Sequence, residues 1–173
     1  MRGHIILSHG SNSGPDATKV SVLAQAAEDM GFSTERPDYR DCDEQGELES
    51  VGPRLERLIG RIRAVPRPPL LVGSSMGAFV SGLASVQASC RGLFLLALPT
   101  RIPGYRQAFD MARGLPSLLI HGFTDDLCPA SDAMAFARSA QINTILVTDG
   151  HRLSSQVPFI ERQFRLFLES LPA

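Results

Sequence analysis

Short apolar runs alternate with segments of helical period along the whole chain, and this alternation leaves few folds open. The runs begin at Gly3–Ser8, continue through a weaker one at Phe32–Tyr39, and recur at Leu70–Val72, Leu93–Leu98, Leu115–His121 and Thr144–Thr148. Leu93–Leu98 is apolar at every position, the pattern of a strand buried on both faces. Between the runs, Val20, Leu23, Ala24, Ala27 and Met30 repeat at helical spacing, with Gly31 as the stop. Ser13-Gly14-Pro15-Asp16 predicts the start of that helix, with proline and an acid in its first turn. A polar loop through Asp43 precedes a second amphipathic helix marked by Val51, Leu55, Leu58, Ile59 and Ile62, whose opposite face is mostly arginine and glutamate. A helix of small residues follows Gly73, Asp132–Ala140 is a short helix, and Ile160, Phe164, Phe167, Leu168 and Leu171 form the stripe of the last one. Six strands alternating with helices predict a parallel sheet covered on both faces, because each parallel connection needs a crossover long enough for a helix. Such sheets bind ligands beyond the carboxyl ends of their strands, and the polar clusters of this chain fall there.

With 173 residues and neither repeat nor long linker, the sequence reads as one domain over residues 1–173. The 17 basic and 18 acidic residues leave a net charge of −1, which excludes the basic footprint of a nucleic-acid binder. No apolar run approaches the ~20 residues of a membrane span. Cys42, Cys90 and Cys128 are far apart and form no C-x-x-C pair, so they read as free thiols of a cytoplasmic protein. Neither they nor the histidines have metal-ligand spacing, so no metal and no cofactor is expected. His4 and His121 read as strand residues with satisfied side chains.

The chemistry concentrates in four places. Gly73-Ser74-Ser75-Met76-Gly77 fits G-x-S-x-G between an apolar strand and a helix, which makes Ser75 the candidate nucleophile. The glycines are needed where a strand turns into a helix within two residues and flanking side chains would collide. A serine hydroxyl requires a base, and the base a carboxylate that fixes its tautomer. Asp125, in His121-Gly122-Phe123-Thr124-Asp125-Asp126, and His151, in Asp149-Gly150-His151, supply both, with Asp126 and Asp149 as rival acids. A tetrahedral intermediate needs two N–H donors at its oxyanion. The amide of Met76 is one candidate and that of Ser11, after His9-Gly10, the other. The first loop could instead cradle a phosphate, but neither G-x-x-x-x-G-K-[ST] nor G-x-G-x-x-G is met.

Taken in order, H-G after the first strand, G-x-S-x-G, H-G-x-x-D and a late G-H resemble an α/β-hydrolase from His9 to His151. More narrowly, the chain is similar to the short, lidless bacterial hydrolases. The resemblance implies a six-stranded parallel sheet in the order 2-1-3-4-5-6 and a serine hydrolase acting through a covalent acyl-enzyme. It also implies that Ser75, Asp125 and His151 form the triad and that Ser11 and Met76 supply the oxyanion amides. Two departures stand out. Two strands that usually precede the H-G strand have no counterpart before His4. The usual cap is also missing, since only 16 residues, Pro99 to Gly114, follow Leu98 before the next run.

An uncapped site should be open and shallow, lined by Asn12, Tyr105, Phe123, Leu127 and Leu153. That geometry favours a small acyl ester as substrate. A thioesterase or acyltransferase with the same triad is the alternative, since fold does not choose substrate. A non-catalytic binding protein on the same scaffold is a third reading. Nothing in the sequence reports oligomeric state or a protein partner.

Overall fold

Six strands form one sheet in the computed structural model, which describes residues 2–172. They are β1 (His4–Ser8), β2 (Ser33–Glu35), β3 (Leu70–Ser74), β4 (Gly92–Leu96), β5 (Ser117–Gly122) and β6 (Asn143–Val147). All neighbours pair in parallel, in the order β2-β1-β3-β4-β5-β6 expected from the sequence. Every residue of β3 and β4 is buried, as their unbroken apolar runs require.

Side chains alternate between two cores. Ile6, Leu71, Leu93, Leu95 and Leu119 meet helices α3 (Glu47–Ala64), α4 (Met76–Gln87) and α5 (Ala130–Ala140). Ile5, Leu7, Val72, Phe94 and Ile120 meet α1 (Thr18–Asp29) and α6 (Val157–Ser170) on the other face. There Phe94 lies edge-on to Phe164, with ring centroids 4.8 Å apart. Such pairs add about 0.5–1.5 kcal/mol beyond the area they bury.

Three local expectations give way to turn chemistry. Pro15 and Asp16 do not open α1; they occupy a turn closed by the Ala17 N–H on Gly14 O at 3.1 Å. Proline suits the second position of such a turn, and the helix starts only at Thr18. The strand expected over residues 32–39 shrinks to Ser33–Glu35, because Pro37 has no N–H for a ladder. The polar loop beyond it contains one helical turn, α2 (Arg40–Asp43). His4 also departs from expectation: Nδ1 bonds Ser33 Oγ at 2.8 Å, but Nε2 has no hydrogen-bond partner and stands 3.7 Å from Glu35.

The strand order places the site. From β1 the chain moves out to β2 and returns to β3 on the other side of β1, so the loops after β1 and β3 diverge from adjacent strand ends. Ser8 pairs with Gly73 in register, which sets His9-Gly10 beside Ser74-Ser75. Among the described residues no cap covers this edge. Residues 99–114 form neither helix nor strand and are tied to the core by Ile102, Phe109 and Met111. Among the described residues no helix is long and apolar enough to cross a membrane.

Candidate active site

The turn from β3 into α4 holds Ser75 at φ 54° and ψ −119°, a conformation that non-glycine residues rarely adopt. Its amide is anchored to Leu96 O at 2.9 Å. The flanking glycines are compulsory. A Cβ on Gly73 would stand 2.3 Å from Gly77 O, and one on Gly77 would stand 2.0 Å from Ser8 O. Ser75 Oγ therefore projects from a turn that only this glycine pattern permits.

From that hydroxyl a single chain of hydrogen bonds runs inward. Ser75 Oγ lies 2.8 Å from His151 Nε2, and His151 Nδ1 lies 2.8 Å from Asp125 Oδ2. The carboxylate accepts, so the histidine proton sits on Nδ1 and Nε2 is left to accept the serine proton. The Asp125 side chain is fully buried, and its Oδ1 accepts the amides of Leu127 at 3.0 Å and Cys128 at 2.7 Å. His121 stands beside the same oxygen that meets His151, with its Nε2 3.3 Å from Asp125 Oδ2. Its Nδ1 accepts the Leu98 N–H at 3.2 Å, which puts its own proton on Nε2, donated to Cys128 O at 2.8 Å. Asp126 is exposed, and Asp149 serves its own loop, accepting the amides of Gly150 at 2.7 Å and Ser155 at 2.9 Å. The Ser155 hydroxyl and the Gly150 amide hold the Asp149 carboxyl below its usual range.

The loop after β1 lies against the serine, a Cβ on Gly10 falling 3.5 Å from Ser75 Cβ. Among the described residues the amide of Ser11 donates to no acceptor, and Met76, as the first residue of α4, has no intrahelical one. His9 is buried beneath this loop. Its Nδ1 donates to Gly10 O at 2.8 Å, and its Nε2 accepts the Tyr39 amide at 3.0 Å. Burial lowers its pKa first, and the Arg54 charge adds to that; Gly10 O, Asp43 and Asp38 pull the other way.

The unfolded chain, with a histidine near pH 6.5, therefore takes up the His9 proton before the folded chain does. Stability from this group is complete above that pH and is lost as pH falls through the lower folded value. Unfolding free energies measured from pH 7 to 5 should fall more steeply for the native protein than for His9→Gln, by at most about 1.4 kcal/mol per pH unit. Equal slopes would show that His9 takes up its proton at the same pH in both states, against the lowered folded value.

No family model and no curated protein matches the sequence. Among solved structures, a protein from Xanthomonas campestris pv. campestris assigned to the α/β superfamily of hydrolases is 41% identical, over 98% of this chain and 99% of that one, with a TM-score of 0.93. The chain belongs to the α/β-hydrolase superfamily. A lidless α/β serine hydrolase from Xanthomonas campestris shares the fold at 17% identity, over 98% of this chain and 83% of that one, with a TM-score of 0.73. An α/β serine hydrolase homologue from Coxiella burnetii does so at 18% identity, over 99% and 86%, with a TM-score of 0.74.

In this α/β-hydrolase the residues expected to line the site are dispersed. Phe123 and Leu127 are 59% and 71% exposed on the loop that carries Asp125. Leu127 borders a cavity of about 410 Å³ with Leu98, Thr100, Arg101, Cys128 and Pro129. Tyr105 is half-buried and edge-on to Phe79, and Asn12 sits at the loop surface with φ 52°. Leu153 corrects the expectation: it is fully buried in the core beneath α6, turned inward by a left-handed backbone at φ 54°, and offers a ligand no surface.

Burial, nearly complete for Cys42 and Cys90 and partial for Cys128, raises the pKa of all three thiols. Desolvation pushes Cys90 up to about 11, and with Asp125 and Glu47 nearby it pushes Cys128 up to about 12. Asp125, Cys128 and His151 do converge within 4.8 Å. Both carboxylate oxygens are already taken by N–H donors, however, and the sulfur keeps its proton, which is poor chemistry for a cation site.

Proposed function

We propose that this α/β-hydrolase cleaves small carboxylic esters through a covalent acyl-enzyme on Ser75. The observation that carries the reading is the unbroken path Ser75–His151–Asp125, with both links at 2.8 Å, on a serine raised at a strained turn. Ser75 Oγ attacks the ester carbonyl carbon while its proton passes to His151 Nε2. The carbonyl oxygen becomes an oxyanion that accepts the amides of Ser11 and Met76. Collapse of that intermediate breaks the bond to the alcohol, which leaves with the proton from His151. Water then repeats the sequence on the acyl-serine and releases the acid. Asp125 keeps its charge throughout and holds the imidazole in the required tautomer.

The uncapped edge favours a short acyl group, with Phe123 and Leu127 as exposed apolar contacts on the loop that carries Asp125. A panel of p-nitrophenyl esters, thioesters and amides tests the substrate class. Short esters should give the highest kcat/KM, falling as the acyl chain lengthens, since an open site gives a long chain little to bind. A preference for thioesters would move the assignment to the second reading, a thioesterase with the same triad.

A further inference from the structure

We infer that Arg54, buried on α3 and paired with Asp43, is a positioning residue that fixes the Gly10–Ser11 peptide with its N–H turned toward the oxyanion. The inference rests on the hydrolase mechanism proposed above. A fully buried guanidinium needs partners for its charge and for its donors. Arg54 finds them in two groups. Its Nε and one terminal nitrogen meet the two oxygens of Asp43 at 2.8 and 2.6 Å. Its terminal nitrogens also reach two consecutive backbone carbonyls, His9 O at 2.7 Å and Gly10 O at 3.0 Å. The ring of Tyr39 lies 4.8 Å from the guanidinium carbon.

The geometry of a peptide does the rest. In a trans peptide C=O and N–H point in opposite directions, so holding Gly10 O on Arg54 turns the Ser11 N–H away from it. That leaves the amide without an acceptor, beside a loop that already touches Ser75. Asp43 secures the loop one residue further on, where its Oδ2 accepts the Asn12 N–H at 3.2 Å. His9 Nδ1 adds a second donor to Gly10 O at 2.8 Å. Flipping the Gly10–Ser11 peptide would break two hydrogen bonds to its carbonyl and aim that carbonyl at the oxyanion. The four bonds to one carboxylate and two successive carbonyls exceed the three donors of an ammonium, and the planar fork of a guanidinium supplies them.

A purely structural role makes a different forecast. Buried ion pairs often contribute little net stability against a hydrophobic replacement, and Arg54 lies between Val51 and Leu58 on the apolar side of α3. Arg54→Lys, Arg54→Met and Asp43→Asn can be compared by cooperative unfolding, steady-state kinetics and affinity for a small alkyl boronic acid, whose tetrahedral adduct mimics the oxyanion. Folded Arg54→Lys and Arg54→Met should keep KM within about threefold and lose roughly 10²–10³ in kcat, the usual cost of one oxyanion donor. Boronate affinity should fall in parallel, whereas binding of the product carboxylate should not. Asp43→Asn should show the same pattern at about a tenth of the size.

Folded variants with native kcat, or with kcat intact and KM raised, would overturn the inference. So would failure of all three variants to fold, which would make the pair structural. Native protein that neither turns over esters nor reacts with a fluorophosphonate at Ser75 would defeat the hydrolase reading itself. Activity in the native protein together with unaffected variants would defeat this inference alone.

Discussion

Ser75→Ala is expected to lower kcat on a short p-nitrophenyl ester by roughly three to six powers of ten, as loss of the nucleophile does in other triad enzymes. In free-energy terms this is about 4–8 kcal/mol of transition-state stabilisation. The size follows from the geometry: Ser75 Oγ is the group within hydrogen-bond reach of His151 Nε2, at 2.8 Å. The variant should remain folded. Alanine suffers the same φ of 54° that serine does, and the amide bond to Leu96 O is untouched. A melting curve that matches the native one, beside an abolished rate, separates lost chemistry from lost structure. Residual turnover near the native level would place the reaction elsewhere.

Asp125→Asn should be nearly as severe, at about 10⁴ in kcat, whereas Asp126→Asn and Asp149→Asn should each keep at least a tenth of the activity. The reason is the direction in which the amide must lie. Oδ1 accepts the amides of Leu127 and Cys128, so an asparagine has to keep its oxygen there. Its NH₂ then faces His151 Nδ1, which must become an acceptor. The histidine proton moves to Nε2, the atom that should receive a proton from Ser75. Asp126 is exposed and Asp149 only shapes the loop before His151, so neither change alters the tautomer. A dead Asp126→Asn with an active Asp125→Asn would reverse the assignment.

Much of this site could be read from the chain because its chemistry forces local pattern. The glycines around Ser75 are compulsory for reasons of contact, and such positions leave a sequence signature. Buried parallel strands announce themselves as unbroken apolar runs, and the alternation with helices fixes which ends carry the loops. The choice among Asp125, Asp126 and Asp149 was less legible, since neighbouring loop positions differ only in which way the backbone turns them. Two backbone amides hold Asp125 Oδ1, which turns its Oδ2 to His151 Nδ1. Leu153 misled for a similar reason: an apolar residue after His151 can face out or in, and one left-handed residue sends it in.

Arg54 was hidden among the arginines of an amphipathic helix, which read as a solvated face. A signal was present all the same. Arg54 follows Val51 by three residues and precedes Leu58 by four, which places its charge on the apolar stripe. A charge there requires a partner, and the partner, Asp43, comes from a segment that read as a polar loop. Periodicity reports which face is buried but not which buried charge meets which distant loop.

The acyl-enzyme itself can be trapped. Native protein mixed with p-nitrophenyl acetate and quenched in acid within the first turnovers should carry one acetyl group by intact mass. Peptide mapping should place it on Ser75, and Ser75→Ala should carry none. An acetyl group on another residue, or rapid turnover with no acyl-protein at any time, would contradict a covalent mechanism at this serine.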